Sequence, residues 1–212
     1  FILSNTISIA AISIVILFQP ELRRGLEQIG RSRFRDFFNF DEQSARVQTS
    51  TVIDEIVKAC VQLSKTYTGA LIVVENETKV GEIINTGIQL DSIVTAELLV
   101  NIFTPNTPLH DGAVIIRNNK IKAAGCFLPL TDNLDLSKEL GTRHRAALGI
   151  TEISDSIAIV VSEESGKISF ALNGGLTRNL NADTLRKALT KNMIDKKYGS
   201  GKRLALWKVR AK

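Results

Sequence analysis

An acidic residue and a histidine lie side by side in residues 104–114, which read TPNTPLHDGAV. Asp111 is followed by Gly112, and a glycine at this position lets a ligand approach the backbone closely. A carboxylate placed directly before a predicted strand can hold a divalent cation, with His110 as a neighbouring candidate ligand. Asp-Gly is also a common turn dipeptide, and a loop histidine need not bind metal, so both interpretations stay open at this point.

A second group suited to phosphate chemistry lies in residues 137–152, which read SKELGTRHRAALGITE. Thr142 stands at a predicted helix start, where a threonine can cap free backbone N–H groups. Those groups, together with the guanidinium groups of Arg143 and Arg145, suit the oxygens of a triphosphate. The alternative is a solvated basic face. Because consecutive helical positions point in different directions, Arg143, His144 and Arg145 cannot all meet one phosphate group.

Two further segments are ambiguous by themselves. Glu163 and Glu164 occur in VSEESG at the predicted end of a strand, where paired acids can bind metal or can form an exposed polar turn. Asn173, Gly174 and Gly175 either shape a tight turn near a pocket or simply end a strand. Neither segment can be assigned without its neighbours in the fold.

Apolar periodicity predicts the elements that position these residues. Three- and four-residue spacing predicts helices, and short apolar runs rich in β-branched residues predict strands. We therefore predict helices over residues 45–67, 94–103, 137–150 and 182–196, and strands over residues 70–74, 113–116, 121–128, 157–161 and 167–172. No internal repeat is present, and the mixture of elements predicts an α/β fold, a mixed central β-sheet flanked by helices.

The charge of the chain favours anionic partners. The formal net charge is +5 and the pI is about 9.3, which suits nucleotides, nucleic acid or an acidic lipid surface. Aromatic residues make up only 6% of the chain and many cluster over residues 34–40, so we expect no nucleic-acid partner that needs a stacking platform. Cys60 and Cys126 belong to no Cys-x-x-Cys pair, and we expect both to be reduced core residues in the cytosol.

The amino-terminal region has the pattern of a membrane attachment. Residues 1–18 carry no charge. As a helix they would extend roughly 27 Å, just short of the roughly 30 Å hydrocarbon core. We predict the end of a transmembrane helix, while the polar interruptions leave a buried helix or a signal-peptide core open. Arginines follow at positions 23, 24, 31, 33 and 35, so the positive-inside rule places the downstream domain in the cytoplasm, at the cell membrane.

These patterns divide the chain into four predicted parts. After the transmembrane end, residues 19–44 predict an amphipathic juxtamembrane helix and a linker. Residues 45–200 form the predicted globular domain, and residues 201–212 form a basic carboxyl-terminal tail. The first residue is Phe1 rather than Met, so we expect the chain to be a fragment or a processed product.

Together the motifs resemble the diadenylate cyclase family. The resemblance rests on TPLHDGA and GTRHRAALGITE, with CFLPL and VSEESG in the matching order, and extends over about residues 47–180. The apolar segment leading into QPELRRGLEQIGR resembles the membrane-anchored branch of that family. The resemblance implies a mixed sheet flanked by helices, and an enzyme that joins two ATP molecules into cyclic di-AMP with Mg²⁺ or Mn²⁺.

The resemblance also implies roles for the acidic loop. Asp111, Gly112 and Ala113 match the Asp-Gly-Ala motif of the family, whose carboxylate serves the metal and the attacking ribose hydroxyl. Gly112 is also expected at the ATP. His110 matches a residue that contacts metal in this branch, and Glu164 matches an acidic active-site position.

The remaining implied roles concern the nucleotide. The Thr-Arg-His-Arg stretch matches the phosphate-binding motif, made here of Thr142, Arg143, His144 and Arg145. Leu128 falls where the adenine ring is held. Phe127 stands where a tyrosine is common, so a phenol hydrogen bond is absent there, although ring packing can survive.

The family also implies partners. Because the product contains two adenylates, two sites must face each other, and a two-fold homodimer is the simplest arrangement. A membrane-linked regulatory protein and a sugar-phosphate mutase are expected partners by resemblance alone. A catalytically silent nucleotide sensor and a basic membrane-surface or nucleic-acid-binding module remain alternatives at this stage.

Overall fold

Seven strands form one sheet within the residues that the computed structural model describes, which are residues 43, 45–133 and 140–195. Contacts divide the chain into two units, residues 1–46 and residues 47–212, and the sheet belongs to the second. The strands are β1 (Ala70–Val74), β2 (Ile88–Ile93), β3 (Ala113–Arg117), β4 (Lys120–Cys126), β5 (Ile157–Val161), β6 (Ile168–Leu172) and β7 (Gly175–Leu180). The described helices are α1 (residues 45–65), α2 (Gly81–Ile84), α3 (Ala96–Ile102), α4 (Thr142–Ile153) and α5 (Ala182–Thr190), which continues as a π-helical turn (Lys191–Asp195).

β1 lies at the centre of the sheet, whose strand order is β2-β4-β3-β1-β5-β6-β7. It runs parallel to β3 and antiparallel to β5, with Ala70 opposite Val161 and Val74 opposite Ile157. The other neighbouring strands are antiparallel. The amino ends of β1 and β3 and the carboxyl end of β5 therefore meet at one end of the sheet. We call this the upper end, and the opposite end the lower end.

Helices cover both faces of the sheet. Successive β1 side chains point to opposite faces, and Ile72 packs with residues of α1, α3 and α5 on one face while Val73 packs with residues of α4 and α2 on the other. All five residues of β1 are buried. A continuous apolar run rather than an alternating one is what a central strand buried on both faces requires.

The predicted mixed sheet flanked by helices is confirmed. β1 and β5 have the predicted bounds, and the hairpin of β3 and β4 turns at Asn118 and Asn119, whose φ angles of 51° and 61° are those of a tight hairpin turn. The predicted helix over residues 137–150 begins at Thr142 and ends at Ile153, with residues 134–139 outside the described part. Asn173 and Gly174 form the turn between β6 and β7, both with positive φ.

Two strands and one short helix were not predicted. β2 and β7 are the outer strands of the sheet, none of their residues is buried, and half of those residues are polar. Their hydrogen bonding to β4 and β6 makes them strands, although their own side chains lack the apolar run that predicts one. α2 has only four residues, too few for a helical period to be visible.

Both cysteines are free and buried, as predicted. Burial raises the pKa of the Cys60 thiol to about 12 and that of the Cys126 thiol to about 11. Both are therefore protonated at neutral pH and packed as small apolar side chains.

The predicted transmembrane end, the juxtamembrane helix and the basic tail over residues 201–212 lie outside the described residues, apart from Gln43. Among the helices that are described, none has the length and apolar character needed to cross a membrane.

Gly149 in α4 gives a stability prediction. A Cβ atom there would lie 2.2 Å from the Pro129 carbonyl oxygen and 2.9 Å from the Leu130 carbonyl carbon, so backbone rather than a flexible side chain would have to shift. We expect Gly149→Ala to lower the free energy of unfolding by about 2 kcal/mol, because overpacking outweighs the better helix propensity of alanine. Thermal unfolding measures this, with Gly81→Ala as the control because nothing lies within 4 Å of its Cβ position. Equal melting temperatures for the two variants would contradict the prediction.

Candidate active site

Three segments with candidate chemistry meet at the upper end of the sheet. Gly69 directly precedes β1, Asp111 lies two residues before β3, and Glu163 lies two residues after β5. Because β3, β1 and β5 are neighbours spaced about 4.8 Å apart, the two outer segments lie on the order of 10 Å from each other. A nucleoside triphosphate is long enough to span this distance, so one bound molecule can contact both the Asp111 segment and the Glu163 segment.

The acidic loop is held against β4. Gly112 has a φ of 114°, and a Cβ atom there would lie 2.8 Å from the Cys126 carbonyl oxygen. Only glycine fits this conformation and this close approach. Ala113 is fully buried opposite Cys126, whereas Asp111 is exposed. The loop thus has a fixed backbone and presents an accessible carboxylate.

His110 is half-buried and orients its ring through the backbone. Its Nδ1 lies 2.6 Å from the Thr107 carbonyl oxygen, and since that oxygen can only accept, Nδ1 carries the proton. Nε2 is then the basic nitrogen, the arrangement usual for a histidine that binds metal. Within the described part of the chain, no group of three or more His, Cys, Asp or Glu side chains could hold a metal ion by itself.

The start of α4 differs from the sequence prediction in one respect. Gly141, not Thr142, is the N-cap residue, and no side chain caps the helix there. Thr142 is the first helical residue and is exposed, as is Arg145. The prediction that the Thr142 hydroxyl caps the helix was therefore wrong, because the chain enters α4 one residue earlier. Without a side-chain cap, the first N–H groups of α4 can hydrogen-bond to an anion.

Arg143 forms an ion pair with Glu163. Its Nη1 donates to Glu163 Oε2 at 2.6 Å, and the Arg143 side chain is 23% exposed while that of Glu163 is 62% exposed. Gly69 lies directly beneath this pair, since a Cβ atom there would be 2.5 Å from Arg143 Nη1 and 2.7 Å from Glu163 Oε2. The guanidinium group is therefore held at the upper end of the sheet by one carboxylate and one close backbone approach.

His144 points into the protein rather than toward solvent. It is 7% exposed, and its Nε2 lies 3.2 Å from the Oγ of Ser169 on β6. Burial, and then the charge of Arg178, lower the pKa of His144 below its usual value, while Glu164 opposes the change. At neutral pH the ring is uncharged. It packs α4 against β6 while Arg143 and Arg145 point elsewhere.

A small depression joins the start of α4 to the turn after β5. Its volume is about 30 Å³, and it is lined by residues 141–144 and 160–164, including Glu164, which is exposed. Phe127 and Leu128 follow β4 beside the acidic loop. Phe127 is 69% exposed, and Leu128 is half-buried against the core on the α4 side. All predicted site residues therefore lie near the upper end or on the segments that leave it.

Comparison with known protein families shows which family contains this site. Residues 57–176 match the family DAC, described as DisA bacterial checkpoint controller nucleotide-binding. The match covers more than half of the 212 residues and includes Asp111, Arg143 and Glu163. The chain belongs to the DAC family.

Curated relatives of this DAC-family chain include two cyclases. The chain is 49% identical over 189 residues to the cyclic di-AMP synthase CdaA of Bacillus subtilis, covering 89% of this chain and 68% of the relative. It is 49% identical over 183 residues to a diadenylate cyclase of Listeria monocytogenes, covering 86% of this chain and 66% of the relative. The chain thus spans about two thirds of the length of these relatives.

Solved structures agree with the fold. A crystal structure of DacA from Staphylococcus aureus, a double mutant, is similar with a TM-score of 0.67 and 46% identity, over 68% of this chain and 96% of that chain. A hypothetical membrane spanning protein from Bacillus cereus is similar with a TM-score of 0.59 and 38% identity, over 84% of this chain and 96% of that chain.

Two residues of the site, Gly69 and Ser169, were missed by sequence reasoning. Glu163 was named there together with Glu164, but only Glu164 was given a role at the site. The signal for Gly69 was available, because a glycine directly before a buried strand often marks close backbone approach. Nothing in the sequence pairs Arg143 with Glu163 or His144 with Ser169, since these partners lie 20 and 25 residues apart.

Proposed function

We propose that this DAC-family chain is a diadenylate cyclase, which condenses two ATP molecules into cyclic di-AMP and releases two pyrophosphates. The observation that carries the proposal is that the exposed carboxylate of Asp111 and the guanidinium group of Arg143, held by Glu163, lie at the same end of the sheet. The names of the relatives support the reaction and the substrate.

The chain binds the triphosphate of one ATP through the start of α4. Arg143 and Arg145 neutralise phosphate oxygens, and the first N–H groups of α4 add hydrogen bonds. Leu128 contacts the adenine ring, and Phe127 adds exposed aromatic surface beside it. His144 acts indirectly, by anchoring α4 through Ser169.

The residues of the acidic loop fit a divalent metal. The exposed Asp111 carboxylate and the basic Nε2 of His110 would be the protein ligands, and phosphate oxygens of ATP would complete the set that Mg²⁺ or Mn²⁺ requires. Mg²⁺ or Mn²⁺ bound there supplies neutralisation of the phosphate charge. Glu164 is exposed near the phosphate-binding segment and serves as a further acidic group.

The bond changes require two subunits. The 3′-hydroxyl oxygen of each ATP attacks the α-phosphorus of the other, the bond from that phosphorus to the bridging oxygen breaks, and pyrophosphate leaves. The hydroxyl proton is lost with assistance from Asp111. Two chains must therefore face each other, and the exposed apolar side chains of Phe127 and Leu130 beside the site suit such a homodimer interface.

Membrane attachment and regulation are also part of the proposal. The uncharged residues 1–18 and the arginines that follow support anchoring to the cell membrane with the catalytic domain in the cytoplasm. A membrane-linked regulatory protein and a sugar-phosphate mutase are proposed partners by family resemblance.

Incubation with ATP and either Mg²⁺ or Mn²⁺, followed by mass analysis of the products, tests the reaction. We expect cyclic di-AMP and pyrophosphate in a ratio of about one to two, as the stoichiometry of the condensation demands. Thermal stabilisation by ATP with no cyclic product under either metal would instead identify a nucleotide sensor and reject the proposal.

Dilution tests the need for two subunits. In-line alignment of the two nucleotides supplies roughly 7–11 kcal/mol of the barrier reduction, so a separated subunit has almost no activity. We expect the rate per enzyme molecule to fall as the enzyme is diluted below its dimer dissociation constant, with the constant measured separately by sedimentation. A constant rate per molecule at concentrations where sedimentation finds monomer would contradict the dimer.

Gly69→Ala is expected to lower activity without destabilising the fold. The new methyl group would meet the ends of two flexible side chains, Arg143 and Glu163, which can move aside with little loss of stability. We expect the melting temperature to change little and kcat/KM for ATP to fall at least tenfold, because displacing a positioned group by about 1 Å can cost about 10²-fold. An unchanged kcat/KM would show that the position of Arg143 does not matter.

A further inference from the structure

A second cavity lies at the lower end of the sheet, opposite the candidate active site. Its volume is about 270 Å³, and its apolar lining is formed by Val74 at the end of β1, Ile116 of β3 and Met193 of the turn after α5. Since β1 has five residues, the strand separates the two sites by about 16 Å. A ligand in this cavity therefore does not occupy the site of Asp111 and Arg143.

The cavity is acidic. Its lining includes three carboxylates, those of Glu75, Glu77 and Asp155, and one ammonium, that of Lys79. Glu75 is 7% exposed. Burial raises its pKa, but hydrogen bonds from Arg117, the Val80 backbone N–H and Lys79 outweigh burial and lower it below the usual value. The carboxylate is thus charged at neutral pH, but Lys79 and Arg117 pair with it, so the lining carboxylate without a cation partner among the described residues is that of Glu77.

The polar lining offers mainly acceptors. The side-chain NH₂ groups of three lining asparagines already donate within the protein, those of Asn76, Asn119 and Asn192. The side-chain oxygen of Asn119 accepts from Thr49 Oγ1, whereas those of Asn76 and Asn192 accept no hydrogen bond from a described residue and can serve a ligand. The carboxylate of Glu77 and the side-chain amide of Asn118 make no hydrogen bond or ion pair within the described part of the chain. A ligand that donates hydrogen bonds is favoured.

A bare metal ion does not suit these groups. Among the residues that the structure describes, the acidic side chains include no group of three that could hold a metal. Asp155 is also occupied, because it accepts hydrogen bonds from the backbone N–H groups of Glu77 and Thr78. The apolar side of the cavity, in contrast, suits a carbon chain.

We propose that this cavity binds a small organic cation, a primary ammonium group on a short apolar stem. Glu77 and Asn118 accept hydrogen bonds from the ammonium group, and the stem contacts Val74, Ile116 and Met193. The net negative charge of the lining favours a positively charged ligand, and the cavity volume limits the size of that ligand. The site is separate from ATP binding and does not depend on the proposed cyclase activity.

Titration of the isotope-labelled full chain with n-butylammonium chloride, followed by backbone amide NMR, tests the proposal. We expect saturable shifts at residues 75–79 and 118–119, without matching shifts at residues 142–145. Sodium butyrate and 1-butanol have the same stem without the positive charge, and we expect neither to saturate these signals. Saturation by all three compounds alike, or by none, would overturn the proposal.

Two variants test the assigned groups. Glu77→Gln removes an exposed charge, and Asn118→Gly removes the amide at a φ of 51°, which glycine adopts without strain. We expect each to weaken n-butylammonium binding about fivefold or more, the loss of one charge-assisted hydrogen bond. Glu82→Gln, an exposed acid on α2 outside the cavity lining, is the matched control and should bind normally. Equal affinities for all three variants and the original chain would also overturn the proposal.

Discussion

Asp111→Asn is expected to lower the rate of cyclic di-AMP formation by about 10³-fold or more. General-base assistance alone contributes about 10²- to 10⁴-fold, and the amide is also a weaker metal ligand than the carboxylate. Initial rates at saturating ATP with Mg²⁺ and with Mn²⁺ measure the loss. Because Asp111 is exposed and makes no hydrogen bond within the described residues, the melting temperature should stay nearly unchanged.

The control for this variant is Asp183→Asn. Asp183 is an exposed acid on α5, which follows β7 three strands away from β1. It carries the same chemical change without access to the site, so we expect full activity. If Asp111→Asn retained the original rate with either metal, Asp111 would have no role in metal binding or proton removal, and the mechanism proposed for the acidic loop would be wrong.

Arg143→Ala is expected to lower kcat/KM for ATP by about 10²- to 10³-fold. The change removes a guanidinium group that can meet the triphosphate, a loss comparable to that of one preorganised donor at a developing charge. It also leaves the Glu163 carboxylate without its partner beside the phosphate-binding segment. The Glu163 carboxylate and the triphosphate then repel each other, and this repulsion adds to the lost attraction between Arg143 and the triphosphate.

The double variant Arg143→Ala with Glu163→Gln separates these two effects. Removing the carboxylate charge removes the repulsion, so we expect about a tenfold recovery over Arg143→Ala alone, measured as a double-mutant cycle. Arg186→Ala is the matched control, because Arg186 pairs with Asp54 at 3.3 Å between α5 and α1 and lies outside the site. Additive losses in the cycle would show that Glu163 does not oppose phosphate binding.

The pair of Arg143 and Glu163 also shows why the site could be predicted only in part. The sequence identifies Arg143 as a candidate phosphate-binding residue through its neighbours Thr142 and Arg145, which form a local pattern. It gives no reason to choose between Glu163 and Glu164 as the carboxylate that pairs with Arg143. Which carboxylate reaches the guanidinium group depends on the direction of each side chain after β5 ends, and that direction follows from the fold rather than from the spacing.

His144 gives the same lesson within one motif. Three adjacent basic or ionisable residues suggest a cationic surface, yet the ring of His144 is buried against Ser169 and uncharged at neutral pH. Local sequence cannot indicate this, because the partner strand β6 begins 24 residues after His144. The helix turns one residue of the motif inward and leaves Thr142 and Arg145 exposed.

The sequence alone determined the features that have a local physical cause. Continuous β-branched runs over residues 70–74 and 157–161 must be buried on both faces, so they predict central strands, and the Asn118-Asn119 turn predicts the hairpin of β3 and β4. The glycine after Asp111 and the cations after Gly141 are also visible in the sequence, but their local pattern by itself leaves a simple turn and a solvated basic face open. Tertiary structure alone decided the outer strands β2 and β7, the Thr142 cap that did not form, the pairing of Arg143 with Glu163 over Gly69, and the acidic cavity at the lower end. Each of these depends on contacts between segments distant in the chain, and only the packing of the sheet brings those segments together.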